Sequence, residues 1–258
     1  MQIFDCFLFN GELKMLNFRL HELDSYVDKF VIVESTHTFK GDTKETIFDK
    51  NVDMFYKFMD KIIYVIHTEE PDSYAWTNER NQRNFLYEAL KTCNPSINDK
   101  VLLSDVDEIP DTTFLKWAKD KEFESPIAFW HNFYYYTTEC RNVKKWAGTI
   151  LINVEMLLRD YQGDFEKLRN NRWGLSHLGE NGDYNTGGWH YSYFGDIDYI
   201  INKIQSFSHQ EYNSETYKNP ETIKKLIEEG KDLFFRGDEK FIKISNEIYK
   251  PKFINLLK

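Results

Sequence analysis

Asp105, Asp107 and Glu108 put three carboxylates into four successive positions, at the end of the apolar run Val101-Leu102-Leu103. Side chains of an extended segment alternate faces, so this spacing predicts Asp105 and Asp107 on one side and Val106 on the other. Two like charges held that close repel by roughly 4 kcal/mol at about 4 Å and an effective dielectric near 20. A divalent cation would relieve the repulsion, and ligand sets made of oxygen suit Mg²⁺ or Mn²⁺. Pro110 lacks a backbone donor and is expected to end sheet pairing. Ligands of open α/β sheets gather beyond the carboxyl ends of the strands, where these acids should emerge. A solvated acidic turn is the plain alternative.

Other residues of matching chemistry fall near expected strand ends. Glu34 closes the run Phe30-Val31-Ile32-Val33, where a carboxylate could accept hydrogen bonds from a ribose or a base edge; a capping or surface acid is the alternative. Arg80 and Arg83 lie three apart on one helical face. Paired guanidinium forks match the oxygens of a diphosphate, although a salt-bridged face has the same spacing. In Gly187-Gly188-Trp189-His190-Tyr191-Ser192-Tyr193, two glycines would let the backbone approach a ligand. There Trp189 offers a stacking face, and His190 could ligate a metal or donate a proton. Ser208-His209-Gln210-Glu211 supplies a second His–acid pair, in which Glu211 is either a general base towards a hydroxyl or an ordinary polar residue. No nucleophile elbow, P-loop, G-x-G-x-x-G or H-E-x-x-H motif occurs.

These residues must be carried by a folded α/β body. The 258 residues include 41% hydrophobic and 17% aromatic side chains, ample for a packed core. The net charge of −9 argues against nucleic-acid or anionic-membrane partners, so an anionic ligand would need a metal or a local Arg/Lys cluster. Cys6, Cys93 and Cys140 are scattered and show no disulfide or zinc spacing. Neither a basic, apolar leader nor an 18-residue apolar run is present, so a soluble, cytoplasmic, reducing setting is expected.

Periodicity supplies the elements. Residues 2–9, 30–35, 61–66 and 101–106 read as buried strands. Helices are expected from Leu13 to Val27 and over residues 76–91. Strands alternating with helices predict a mostly parallel sheet covered on both faces. The polar loop from Thr36 to Asp49 could cover a ligand. Further on, Asp111 should cap a helix running through Trp117, and residues 127–136 and 148–152 read as strands. Residues 159–188, with six glycines, read as a long irregular loop of functional use. Asp196 and Asn219-Pro220 should start two C-terminal helices, the second ending at Gly230. One domain over 1–258 is expected, with ligand-binding halves at about 1–120 and 121–258.

Taken in order, these residues resemble glycosyltransferase family 17, the family of β-1,4-mannosyl-glycoprotein β-1,4-N-acetylglucosaminyltransferase. The resemblance starts at Ile3-Phe4-Asp5-Cys6-Phe7 and Asn10-Gly11-Glu12-Leu13, then runs through Arg19-Leu20-His21-Glu22-Leu23 and Phe30-Val31-Ile32-Val33-Glu34-Ser35. It continues at Thr38-Phe39-Lys40-Gly41, Glu79-Arg80-Asn81-Gln82-Arg83 and Ser104-Asp105-Val106-Asp107-Glu108-Ile109-Pro110. It closes with Gly188-Trp189-His190-Tyr191-Ser192-Tyr193 and Ser208-His209-Gln210-Glu211-Tyr212-Asn213. It implies a GT-A-like fold, a UDP-sugar donor (UDP-N-acetylglucosamine in characterised relatives), a glycan acceptor and inversion at the anomeric carbon. By that analogy Asp105 and Asp107 are a D-x-D pair, with Asp107 on the metal and Asp105 nearer the ribose. His190 would complete the metal shell, with His209 as second choice. Arg80 or Arg83 would assist the departing UDP. Glu211 is the implied base, with Asp183 and Glu180 as alternatives, and Trp189 and Tyr193 would contact acceptor or sugar. The membrane anchor and lumenal stem of animal relatives are not read in the chain. It is similar in this to compact bacterial and viral members.

Two other classes share parts of the pattern. Phosphotransferases with a nucleophilic D-x-D usually place it near the N-terminus with Thr or Val two positions after the second Asp, where this chain has Ile109. A carbohydrate-binding protein on an inactive transferase scaffold would keep the fold but turn over no nucleotide sugar.

Overall fold

The computed structural model describes residues 1–179, 186–245 and 249–257. Its first part alternates strand and helix as the periodicity predicts. In chain order these elements are β1 (Ile3–Phe9), α1 (Leu13–Leu23), β2 (Lys29–Ser35), β3 (Ile62–His67), α2 (Ala75–Lys91) and β4 (Lys100–Leu103). A 3₁₀ segment, Asp49–Phe58, precedes β3. β1 pairs in parallel with β2 on one side and β4 on the other, and β2 pairs in parallel with β3. A strand flanked on both edges and covered on both faces must be apolar almost throughout. β1 obeys this except at Asp5, which is fully buried.

The sheet then changes character. β5 (Glu108–Pro110), α3 (Thr112–Asp120), β6 (Ile127–Tyr135), β7 (Cys140–Asn153), α4 (Val154–Tyr161), α5 (Phe165–Asn170), β8 (Ser176–Leu178) and β9 (Gly188–Ser192) follow. The main strand order is β3-β2-β1-β4-β7-β6-β9-β5. β7 pairs antiparallel with β4 and β6, while β9 runs parallel to β6 and antiparallel to β5. The mostly parallel expectation therefore holds for the N-terminal half, and the sheet as a whole is mixed. α6 (Ile197–Ser206), α7 (Glu215–Lys218), α8 (Pro220–Glu229) and β10 (Phe241–Lys243) complete it, β10 pairing with β7. Among the described residues no helix is long and apolar enough to cross a membrane.

Two expectations need correction. Residues 159–188 are not one irregular loop, because Asp164 caps α5 by accepting from Lys167 N (2.8 Å). Pro110 does not end pairing either. It lies in β5 opposite Gly188, at the end of the strand order, where a missing backbone donor is tolerated.

Apolar clusters lie on both faces. Ile3, Phe7 and Phe9 point towards α1, and Phe4 and Cys6 towards α2, as the two-residue period requires. A third cluster joins Phe133, Tyr135 and Tyr193 to Ile200 and Ile204 of α6 and Ile223 and Leu226 of α8. Asp5 falls on the α1 face, where Arg19 meets it through Nε (2.8 Å) and Nη2 (2.6 Å), both side chains fully buried. The remaining Arg19 donors reach Ser104 Oγ (2.6 Å) and the carbonyls of Asp105 (3.1 Å) and Glu108 (2.7 Å). Removing one partner of a buried pair strands the other charge. Arg19→Met should therefore lower the unfolding free energy by about 3–5 kcal/mol in urea titration, whereas exposed Arg80→Met should change it by less than about 0.5 kcal/mol.

Candidate active site

The acidic stretch is a turn between two strands. β4 ends at Leu103, and Glu108 N donates to Asp105 O (3.0 Å) before β5 begins. Strand alternation therefore does not orient Asp105 and Asp107; their partners do. Asp105 accepts from Arg83 Nη1 on Oδ1 and from Arg169 Nη2 on Oδ2, both at 2.8 Å. Arg169 also donates to both oxygens of fully buried Glu108 (2.8 and 2.6 Å). Glu108 further accepts from Asp105 N (2.9 Å) and Trp146 Nε1 (2.5 Å). Burial alone would raise the Asp105 carboxyl, but the two guanidinium groups overcome it and hold the group well below the usual carboxylate range.

Asp107 faces a different set. Its Oδ2 accepts from Lys203 Nζ of α6 (3.1 Å), and its Oδ1 lies 3.5 Å from His190 Nε2. The β5–β9 register sets Glu108 opposite His190, and Tyr191 N donates to Asp107 O (2.9 Å), which fixes that approach. His190 stacks on Phe133 at 4.7 Å, and its Nδ1 is buried with no hydrogen-bond partner among the described residues. Burial again opposes ionisation of Asp107, while Lys203 and His190 more than offset it and keep the carboxyl below its ordinary value. Lys203 is held correspondingly high: burial would lower it, and Asp107 reverses that.

These groups open onto a cleft of about 210 Å³ at the carboxyl ends of β1 and β4. Its walls include Phe9, Asn10, Glu12, Arg83, Asp105, Asp107, His190 and Lys203. A second cavity of about 590 Å³ shares Asn10, Glu12, Lys203 and Ser206 and extends to Thr38, Lys44 and Tyr199. Glu12 stands in both, with its carboxyl raised by burial. The loop after β2 forms one rim, and Lys40 N contacts Ser206 O (3.4 Å) across it.

Several expected site residues lie elsewhere. Glu34 is fully buried and spends its oxygens on Lys44 Nζ (3.0 Å), Ile47 N (2.8 Å), Phe48 N (3.1 Å) and Tyr64 Oη (2.8 Å). A carboxylate offers about four acceptor sites, so Glu34 shapes the loop and has none left for a ribose. Arg80 is exposed and outside the cleft, so it does not pair with Arg83 over a diphosphate. Arg83 lines the cleft, but its three nitrogens bond Glu79, Asp105 and Glu166. Trp189 is buried in the core against Tyr249, and Tyr193 is buried among Tyr135 and Phe234, so neither offers a face to an acceptor. Gly188 admits close backbone approach to the protein itself, since a Cβ there would meet Ile109 O at 2.3 Å. Glu211 has a 55% exposed side chain bonded to His209 Nδ1 (2.6 Å), and neither residue lines the cleft. Asp183 and Glu180 lie outside the described residues.

Arg169 and Lys203 carry much of the site's positive charge, and neither stood out in the sequence. Arg169 sits in the glycine-bearing stretch read as loop, while Lys203 lies on a helix that showed only its isoleucines.

The sequence model of glycosyltransferase family 17 matches residues 1–245. The chain belongs to glycosyltransferase family 17. Among solved structures it is similar to the glycosyltransferase GlyE of Streptococcus pneumoniae TIGR4. One GlyE crystal structure gives 14% identity and a TM-score of 0.28 over 66% of this chain and 38% of that one. The apo-form structure gives 14% identity and a TM-score of 0.33 over 99% of this chain and 58% of that one. The family 17 chain thus spans less than two thirds of either GlyE chain. A search among curated proteins returns no match. The central sheet flanked by helices agrees with the α/β fold that the resemblance implied, and the acidic turn follows β4 within it.

Whether the family 17 cleft suits a divalent cation is a question of donors. Among the described residues no cluster of three or more His, Cys, Asp or Glu side chains stands ready to cage one. Two guanidinium groups already occupy Asp105, and a cation there would sit against both. Asp107 fits, with His190 beside it, because Mg²⁺-type sites commonly use one or two carboxylates together with substrate phosphates.

The carboxyl shifts have a consequence in acid. A group depressed on folding contributes stability above its unfolded value, and loses it as pH falls through the folded one. The stability of the wild type relative to Asp107→Asn should therefore shrink as pH drops below about 4, read from thermal unfolding across the pH range.

Proposed function

We propose that this chain transfers a sugar, N-acetylglucosamine, from a UDP-sugar to a glycan hydroxyl with inversion, using Mn²⁺ or Mg²⁺. The observation that carries the reading is Asp107. In a chain of glycosyltransferase family 17, its carboxylate lines a cleft at the strand ends beside a lysine with donors to spare. The larger adjoining cavity, with polar walls from Asn10, Thr38 and Lys44, suits the nucleoside; the diphosphate then lies by Asp107 and Lys203.

Asp107, with His190, would hold the cation, which when bound neutralises charge on the departing UDP. The rest falls to the chain's own groups. Arg83 and Arg169 lock Asp105 and Glu108, so that the turn presents Asp107 in one position. The acceptor oxygen attacks the anomeric carbon opposite the diphosphate, whose bond to that carbon breaks, and the acceptor proton passes to a carboxylate. That base is proposed as Asp183, with Glu180 as alternative; exposed Glu211 is set aside. For the acceptor, one exposed aromatic face near His190 is Trp173, 48% exposed and edge-on to Trp146, whose ring lies 5.1 Å from His190.

Donor chemistry is measurable without knowing the acceptor, as hydrolysis of UDP-N-acetylglucosamine in Mn²⁺. The wild type should show it and lose it in EDTA. Asp107→Ala should lower it by about a hundredfold or more, the order seen when one transition-state charge contact is lost, with unchanged circular dichroism. Full activity in EDTA would remove the metal from the reading. UDP binding without hydrolysis or transfer would leave a binding protein instead.

A further inference from the structure

Lys203 is placed to do more than balance Asp107. It rises from α6 between Ile200 and Ile204, both anchored in the third apolar cluster, so its stem starts from a fixed position. Its Nζ lies 3.1 Å from Asp107 Oδ2 and 5.3 Å from the centre of the Tyr193 ring, with 23% of the side chain exposed. An ammonium has three donors, and among the described contacts one is used. Arg83, the other cation lining the same cleft, has no nitrogen left without a carboxylate. Lys203 also borders both cavities. While it holds Asp107, the carboxylate proposed for the divalent cation is already paired.

We propose that Lys203 is a diphosphate ligand that changes partners: it pairs with Asp107 in the free protein, moves to a donor phosphate oxygen when the UDP-sugar enters, and thereby opens Asp107 to the divalent cation. This rests on the donor reading given above. A diphosphate carries more charge than one carboxylate and draws the ammonium away, and the compact, rotatable Lys head suits such an exchange better than a planar guanidinium fork. Cation binding is in this way coupled to donor binding through one side chain.

The test separates the two ligands. Binding of Mn²⁺ alone, followed by electron paramagnetic resonance of the free ion, and of UDP alone in EDTA, by calorimetry, are compared in the wild type and Lys203→Met. Methionine keeps most of the apolar stem and removes the charge. Mn²⁺ should bind the variant roughly tenfold tighter and UDP roughly tenfold weaker, within the usual range of such couplings. A damaged fold would weaken both, so the opposite signs are the signature; Lys203→Gln provides the same pair of readouts if the first variant does not fold. Unchanged affinities, or losses in both, overturn the exchange while leaving the donor site standing. Failure of the wild type to bind UDP either in EDTA or with Mn²⁺ would overturn the donor reading itself, and the exchange with it; UDP binding only with Mn²⁺ would overturn the exchange alone.

Discussion

Three carboxylates in four positions cannot be packed beside a buried sheet unless positive charge is brought to them, and the molecule is arranged around that requirement. Three buried arginines from three helices converge on the turn: Arg19 from α1, Arg83 from α2 and Arg169 from α5. Arg19 works on the backbone, tying the carbonyls of Asp105 and Glu108 to Asp5 inside the central strand. The other two work on the side chains. Buried ion pairs are weak sources of net stability, because desolvation consumes much of the attraction, but they are strict about geometry. Their effect here is to give each acid one orientation.

The compensation is uneven, and the unevenness separates the roles of the acids. Glu108 is fully buried, and Asp105, though 39% of its side chain is exposed on the cleft, has both oxygens bonded by guanidinium donors. Asp107 receives a single lysine and a histidine and faces the cleft. The two aspartates of the turn thus differ in partners, Asp105 held by two arginines and Asp107 by one lysine beside a histidine. The same logic explains Glu34, a buried acid whose four donors fold the loop that forms the cleft's rim.

Much of the frame was legible in the sequence because its signals are local. The apolar runs of β1, β2, β3 and β4, the period of α1, and the caps at Asp111, Asp196 and Asn219 all depend on neighbours a few residues away. The position of the acidic turn after a buried strand was legible for the same reason. What was not legible depends on distance in the chain. Arg169 lies 64 residues from Asp105 and Lys203 96 from Asp107, and nothing in either one's sequence surroundings marks the partner. Trp189 and Tyr193 misled because an aromatic residue carries the same sequence signal in a core as on a sugar-binding face. Only the pairing of β9 between β6 and β5 shows that Trp189 points inward.

On the proposed function, Asp105 is kept by its two arginines while Asp107 meets the ligand. A crystal structure with UDP and Mn²⁺ tests it most directly. It should show the diphosphate and the ion at Asp107 beside Lys203, with Asp105 still bonded to Arg83 and Arg169. An ion held by Asp105 with either arginine displaced, or a nucleotide seated away from the Asn10–Lys203 cleft, would contradict it.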